Sequence, residues 1–451
     1  MVLDIVGLEV EHLSSGLVPN IARLSESGEH AQMEPVFPAV TCTVQASILS
    51  GKYPDEHGII SNGLYDRGTH TVSFWEQPSS LVQSGRIWDA VRNGSGAGTD
   101  CKTAVLFWQN TMFASSDIVV TPRPLHMGDG SMVPWCYSRP AGYYEEIKSI
   151  AGEFDLSTYW GPFASHKSSE WIAKAAEITL EKSRPEMMFV YIPHVDYSAQ
   201  RFGKKSGEAR EDLRRADAIV GSLVEKAAKL GIGEETEFII LSEYAFDDVR
   251  GDIPINLALR DEGLLATRVI GDKEYMDFEY SKAFAMVDHQ VAHVYVKDGH
   301  VGETRKILEG LRGIDRVLSS SEKRQMRIDH ERSGELIAIS DRDRWFSYYW
   351  WHKLEDAPPF ADTVDIHRKP GYDPLELFFD REKKSISQDT GLIKGSHGRP
   401  ADNETGEGFA FYASSRKLGL NRSHEGTVKC VDIAGYLLDA GHTGGPKNLQ
   451  A

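Results

Sequence analysis

Short apolar runs at 2–6, 103–108, 187–192 and 237–241 carry few polar positions. A continuous apolar run of strand length, as opposed to an alternating one, marks a strand buried on both faces. Between the last two runs, residues 206–230 (SGEAREDLRRADAIVGSLVEKAAKL) place their apolar positions at helical spacing and stop at a Gly-Ile-Gly sequence. Strand, helix, strand in that order predicts a right-handed crossover between parallel strands. The expected fold class is α/β: a doubly wound, mostly parallel central sheet with helices on both faces and an inserted cap region.

Two stretches break the pattern. Residues 61–160 are rich in Trp, Pro, Gly and Tyr, which predicts long functional loops. From 283 to 374 the chain reads as further strands (AFAMV, VAHVYV, ELIAIS) joined by a segment dense in His, Asp, Arg and Tyr. We read this as an insertion or cap folded against the active face, between a core formed by 1–282 and its last part, 375–451. Gly94, Gly96 and Gly98 precede a strand and do not sit between a strand and a helix. They lack the context of a dinucleotide loop and predict a turn.

Composition narrows the class. The 451 residues are 41% hydrophobic and 10% aromatic, enough to bury a large core. Fifty basic residues against 67 acidic ones give a net charge of −17. That charge argues against a nucleic-acid polymer or a membrane surface as partner. A small anionic substrate stays open, because a bound metal inverts the local field. Cys42, Cys101, Cys136 and Cys430 are scattered and form no CxxC pair, which fits a reducing compartment. The N-terminus has no basic leader and no run of about 18 apolar residues occurs, so a cytoplasmic location is expected. Oligomeric state leaves no mark in the sequence.

In open α/β sheets ligands bind beyond the carboxyl ends of the strands. Asp4 lies inside the first apolar run, where a carboxylate is costly unless paired or metal-bound. Thr41 opens the helical pattern TVQASILSG, which ends at Gly51. A hydroxyl there meets the positive end of the helix dipole, which suits a nucleophile and the phosphoryl oxygens it attacks, although Thr at a helix start is ordinarily an N-cap. His194 and Asp196 follow the third run, Glu243 and Tyr244 the fourth, and His397 stands in the glycine-flanked KGSHGRP. Each has an ordinary structural explanation alone. Together, oxygen-rich side chains at one sheet edge are what one or two divalent cations require.

The order of these pieces resembles the alkaline phosphatase superfamily, most of all its type I phosphodiesterases and nucleotide pyrophosphatases. The segment 37–62 (FPAVTCTVQASILSGKYPDEHGIISN) carries the most specific likeness. The resemblance implies Thr41 as nucleophile and Asn62 as the amide donating to phosphoryl oxygens. It implies Asp4 as a ligand of the metal shared with the nucleophile, and Asp196 and His397 as ligands of a second metal. Three positions depart from the family pattern: Gln200 stands for a second-metal His, and Glu243-Tyr244 stands for Asp-His. Fewer imidazoles and more oxygen donors penalise zinc more than manganese, iron or magnesium. The expected cofactor is thus one or two divalent ions (Mn, Zn, Fe or Mg), held by Asp4, Thr41, Glu243 and Tyr244 and by Asp196, Gln200 and His397. His367, oriented by Asp365, is the candidate that completes the second site.

Other replacement ligands are on offer: Asp288, His289 and His293 (the two histidines on one strand face), Asp373, and Asp329, His330, Arg332 and Glu335. The aromatic run Trp345, Phe346, Tyr348, Tyr349, Trp350 and Trp351 predicts a core strand whose other face stacks on a ring-shaped substrate. These segments are also similar to a group of bacterial phosphatase-like proteins found beside genes of secondary metabolism, a likeness that implies no substrate. The expected function is metal-dependent hydrolysis of phosphate esters, phosphodiesters or phosphonates. The alternatives are a metal-dependent transferase, mutase or lyase of a biosynthetic pathway, or a pseudoenzyme that kept the fold.

Overall fold

The computed structural model describes residues 1–93, 101–128, 132–417 and 426–442. At its centre Val2–Ile5 runs parallel to Met187–Ile192 on one side and to Ile239–Leu241 on the other. Thr103–Leu106 and then Ile118–Pro122 extend the parallel set beyond Met187–Ile192. The antiparallel strand Ala410–Ser414 joins the opposite side, followed by Glu29–Glu34 and Val428–Lys429, and antiparallel Cys136–Arg139 closes the far edge. Every residue of the central strands Val2–Ile5, Thr103–Leu106, Met187–Ile192 and Ile239–Leu241 is buried, as their unbroken apolar runs require.

Helices pack in two groups. Pro19–Ser27 and His166–Ser183 lie against Gly207–Lys229, whereas Thr41–Ser50 and Ile87–Arg92 lie against Asp432–His442. This is the doubly wound, largely parallel arrangement expected. The long helix Gly207–Lys229 starts where the pattern predicts, because the Ser206 hydroxyl accepts the Ala209 N–H at 3.1 Å.

A second sheet is antiparallel throughout, with Ala283–Asp288, Val291–Val296, Leu336–Ser340 and Ile314–Leu318 in that spatial order. It builds a second apolar core, which also takes in Phe37 and Ile60 from the two ends of the segment around Thr41–Ser50. Chain from the first unit is therefore embedded in the second.

Three expectations are corrected here. The stretch 61–160 is not a set of long loops: it holds Gly63–Asp66, Thr71–Phe74, Ile87–Arg92, Tyr143–Ala151 and three strands of the central sheet. Two of those strands lie toward the sheet edge and are short, one ending at Pro122 and the other followed by Pro140, so their pattern resembles loop sequence. The aromatic run offers no face to a substrate, because none of its six rings is more than 9% exposed and all join the second core. His289 and His293 share no strand face, since His289 occupies the turn between two strands with φ of 58°. The glycines Gly94, Gly96 and Gly98 lie outside the described residues. Among the described residues no helix is long and apolar enough to cross a membrane.

Candidate active site

The helix Thr41–Ser50 is buried along almost its whole length, so its polar side chains face protein. Val40 holds the cap position and makes no side-chain cap, which leaves the Thr41 hydroxyl free of that duty. That hydroxyl donates to Glu243 Oε2 at 2.9 Å and lies 3.3 Å from Tyr244 Oη. Gly51, in the left-handed region at φ of 66°, ends the helix, as an αL cap demands of a residue without Cβ. The turn that follows is tied back to the helix. His57 Nδ1 accepts the Ile59 N–H, so Nε2 carries the proton and donates to Ser47 Oγ at 2.8 Å.

Asn62 reaches the start of the same helix. Its Oδ1 accepts the Cys42 N–H at 2.9 Å, while its Nδ2 and backbone N–H donate to Asp288 at 3.1 and 2.8 Å. Ser61 Oγ donates to the same carboxylate at 2.6 Å. Burial raises the Asp288 carboxyl to about 6, against these bonds.

Asp4 sits in register with Tyr191 and Leu241, facing Glu243, which follows the strand Ile239–Leu241. Gln45, one helical turn after Thr41, lies between the two carboxyls. Its Nε2 donates to Asp4 Oδ2 at 3.0 Å and to Glu243 Oε1 at 2.6 Å, and its Oε1 accepts the Gln109 N–H at 2.7 Å. Asp4 Oδ1 is buried with no partner. Desolvation pushes both carboxyls upward, Asp4 to about 7 and Glu243 well above the usual range; the Asp4 charge raises Glu243 further, whereas the hydrogen bond from Glu243 eases the ionisation of Asp4.

On the other side, Asp196 lies in the first turn of Val195–Phe202, immediately past the strand Met187–Ile192. It accepts Gln200 Nε2 at 2.6 Å and the Tyr244 hydroxyl at 3.4 Å, and burial lifts its carboxyl to about 7. Gln200 Oε1 in turn accepts the Tyr372 hydroxyl at 2.9 Å. His397 Nδ1 donates to the Ala39 carbonyl at 2.9 Å, which leaves the Nε2 lone pair bare, buried and unpartnered, 3.9 Å from Asp196 Oδ1. Burial holds its imidazole neutral, down to about 3. Four rings stack in a column: Tyr244 on His397 (3.5 Å between centroids), His397 on His289 (3.8 Å) and His289 on Tyr372 (3.9 Å).

The structure thus brings together Asp4, Thr41, Asn62, Asp196, Gln200, Glu243, Tyr244 and His397. It does not bring in His367, which is exposed and bonds the Phe74 carbonyl at 3.1 Å, or Asp365, which pairs with Arg368. Asp373 holds the buried Lys369, and Asp329 pairs with Lys323. His330 bonds Gln83, Arg332 binds the Gly58 and Leu81 carbonyls, and Glu335 pairs with Arg67. His194 and His293 bond backbone carbonyls of Asp212 and Ile60. Gln45 and Tyr372 carry no mark in the sequence that sets them apart. Only the four-residue spacing from Thr41, which puts Gln45 on the same helix face, could have signalled it.

Among the described residues no group of three or more His, Cys, Asp or Glu side chains is arranged to hold a metal ion. The donor set fits the two implied cations unequally. Beside Asp196 the bare Nε2 of His397, with Nδ1–H fixed by a carbonyl, has the posture of a metal-ligating imidazole. Between Asp4 and Glu243 the position facing both carboxylates is filled by an amide N–H₂. That side does not fit a cation.

Comparison with known proteins agrees with this architecture. A sequence profile described as type I phosphodiesterase / nucleotide pyrophosphatase matches residues 1–373. An uncharacterized pyrophosphatase/phosphodiesterase of Schizosaccharomyces pombe is 24% identical over 247 residues, 54% of this chain and 44% of its own length. Ectonucleotide pyrophosphatase/phosphodiesterase family member 1 of Rattus norvegicus is 24% identical over 252 residues, 54% of this chain and 23% of its own. The match thus spans less than half the length of these curated relatives. Among solved structures, phosphonoacetate hydrolase from Sinorhizobium meliloti in complex with phosphonoacetate superposes with a TM-score of 0.61 at 16% identity, covering 98% of this chain and 95% of that one. Murine ectonucleotide pyrophosphatase/phosphodiesterase 5 in complex with AMP superposes with a TM-score of 0.59 at 14% identity, over 97% and 94% of the two chains. At those identities the likeness speaks for the fold. The profile match over most of the chain decides the family: this protein belongs to the type I phosphodiesterase/nucleotide pyrophosphatase family of the alkaline phosphatase superfamily.

Proposed function

We propose that the protein hydrolyses small phosphate esters, phosphodiesters or phosphonates, with Thr41 as nucleophile. The observation that carries this reading is the uncapped Thr41 hydroxyl, buried at the start of its helix and donating to Glu243 Oε2 at 2.9 Å. As Thr41 Oγ1 attacks phosphorus and the bond to the leaving group breaks, its proton passes to Glu243 Oε2 along the hydrogen bond the two already share. Asn62 keeps one Nδ2 hydrogen on Asp288 and directs the other toward the phosphoryl oxygens, beside the positive end of the helix dipole. Tyr244 stands over both Thr41 and Asp196 and orders the two halves of the site. A divalent cation held by Asp196 and His397 would supply positive charge to the phosphoryl group and its leaving atom. The segment 283–374 acts as the cap, its turn at Asp288 fixing Asn62.

The test is turnover of bis-p-nitrophenyl phosphate, p-nitrophenyl phosphate and phosphonoacetate with Mn²⁺ present. Wild-type protein should turn over at least one, and Thr41→Ala should lose several orders of magnitude in rate while the fold stays intact by circular dichroism. A Thr41→Ala variant with near-normal rate removes Thr41 from the reaction. The loss of one cation position favours a second reading, a phosphate-ester-binding protein without turnover. Wild-type protein inert toward every substrate while still binding one of them would select it.

A further inference from the structure

We infer that Gln45 stands in for a cation, so that the Asp4–Glu243 side of the site excludes a divalent ion and the chain takes at most one, beside Asp196 and His397. The Gln45 amide nitrogen is within 3.0 Å of Asp4 Oδ2 and 2.6 Å of Glu243 Oε1, and these two contacts use both of its hydrogens. A cation shared by those carboxylates would need oxygens at roughly 2.0–2.3 Å, in the volume that the amide nitrogen fills.

The orientation of that amide is not arbitrary. Nitrogen and oxygen of a Gln side chain are told apart by their partners, and here one partner is a backbone N–H, which can only donate. Gln109 N–H lies 2.7 Å from Gln45 Oε1. Rotating the amide would set two donors against each other at Gln109 and an oxygen against two carboxylates at the other end. Gln45 and Gln109 are both buried, so no solvent is at hand to repair either loss.

The rest of the pair is arranged for protons. Glu243 Oε2 takes the Thr41 hydroxyl while Oε1 takes the amide, so each of its oxygens has a neutral donor. On the far side Asp196 Oδ2 is also held by an amide, that of Gln200, but there the bare His397 Nε2 gives a cation a nitrogen ligand. No such nitrogen faces Asp4 and Glu243 in the bonds they make.

Metal content decides this without reference to turnover, so it stands apart from the assignment of Thr41 as nucleophile. The full chain is equilibrated with excess Mn²⁺, freed of loose metal, and measured by elemental analysis and by anomalous diffraction at the manganese edge. Wild-type protein should hold no more than one Mn²⁺, with anomalous density beside Asp196 and His397 and none between Asp4 and Glu243. Gln45→Ala, which vacates the amide position, should gain one further Mn²⁺ per chain, located between those two carboxylates. Anomalous density between Asp4 and Glu243 in the wild type overturns the inference, and so does a folded Gln45→Ala protein with unchanged stoichiometry. Should Gln45→Ala not fold, the presence or absence of wild-type density between the two carboxylates decides alone.

Discussion

A carboxylate sealed between an amide, a phenol and an imidazole behaves differently from one at the surface, and Asp196 shows the consequence. Burial raises its carboxyl from 3.8 to about 7 in the folded protein. The folded state then keeps the proton over a range where the unfolded chain has released it. Stability from this group is full below about pH 4 and is lost as pH rises through about 7. Asp196→Asn has no proton to lose. In metal-free protein its melting temperature, taken relative to wild type, should therefore climb steadily from pH 4 to pH 8, and a difference that stays flat would show that Asp196 is not desolvated. At this scale the sequence was legible wherever a polar residue interrupts or follows an apolar run, which is why Asp4, Asp196, Glu243 and Tyr244 stood out beside the motif-borne Thr41, Asn62 and His397. Gln45 did not, because an amide inside a helix looks the same whether it faces water or two carboxylates. His367 was misleading for the converse reason: a Pro-Gly-rich setting implies a fixed loop but not where the loop points, and the ring bonds the Phe74 carbonyl.

Elements bring these residues together through backbone contacts that leave no room for side chains. The KGSHGRP loop docks on the helix Val195–Phe202, with Lys394 N–H donating to the Gln200 carbonyl at 2.8 Å. A Cβ added to Gly395 would sit 2.3 Å from the Ala199 carbonyl oxygen, a backbone atom that cannot swing away. Gly395→Ala must push the His397 loop off the helix that carries Asp196 and Gln200. We expect about 1–3 kcal/mol of lost stability, as for other overpacked sites, and a fall in turnover from the displaced His397. Gly435→Ala is the control: it sits in Asp432–His442 with nothing within 4 Å of the added carbon, so it should be neutral or stabilising. Equal midpoints for the two variants in thermal melts would show that the loop yields freely. The buried central strands, Thr103–Leu106 among them, and the long helix were legible from periodicity, whereas Ile118–Pro122 and Cys136–Arg139 were not. Those strands are short, and the Pro- and aromatic-rich sequence around them is shared by true loops.

At the scale of the whole molecule, the turn that joins the first two strands of the second sheet ties that sheet to the site. Its consecutive residues Asp288, His289 and Gln290 all reach the site: Asp288 binds Ser61 and Asn62, His289 stacks on His397, and the Gln290 N–H donates to the His397 carbonyl at 3.0 Å. The sequence announced the second unit, through AFAMV, VAHVYV and ELIAIS, but not this brace, since long-range pairing of a turn with a distant segment has no local pattern. From the other direction, Phe37 and Ile60 anchor the segment around Thr41–Ser50 in the second core. The two units therefore share chain, polar contacts and apolar contacts, and should melt in one transition. Asp288→Ala tests the brace, because it strands the Ser61 hydroxyl and both Asn62 donors in a buried setting. At about 1–3 kcal/mol for each unsatisfied buried group, the variant should lose several kcal/mol in denaturant titrations. It should also lose turnover, because Asn62 is no longer fixed beside Thr41. Asp288→Asn keeps an acceptor oxygen and should fall between the variant and wild type on both measures. A biphasic melt of the wild type, or an Asp288→Ala protein of unchanged stability and rate, would mean that the second sheet is a passenger on the first unit. A single transition that moves down together with the rate would make it part of the site's construction.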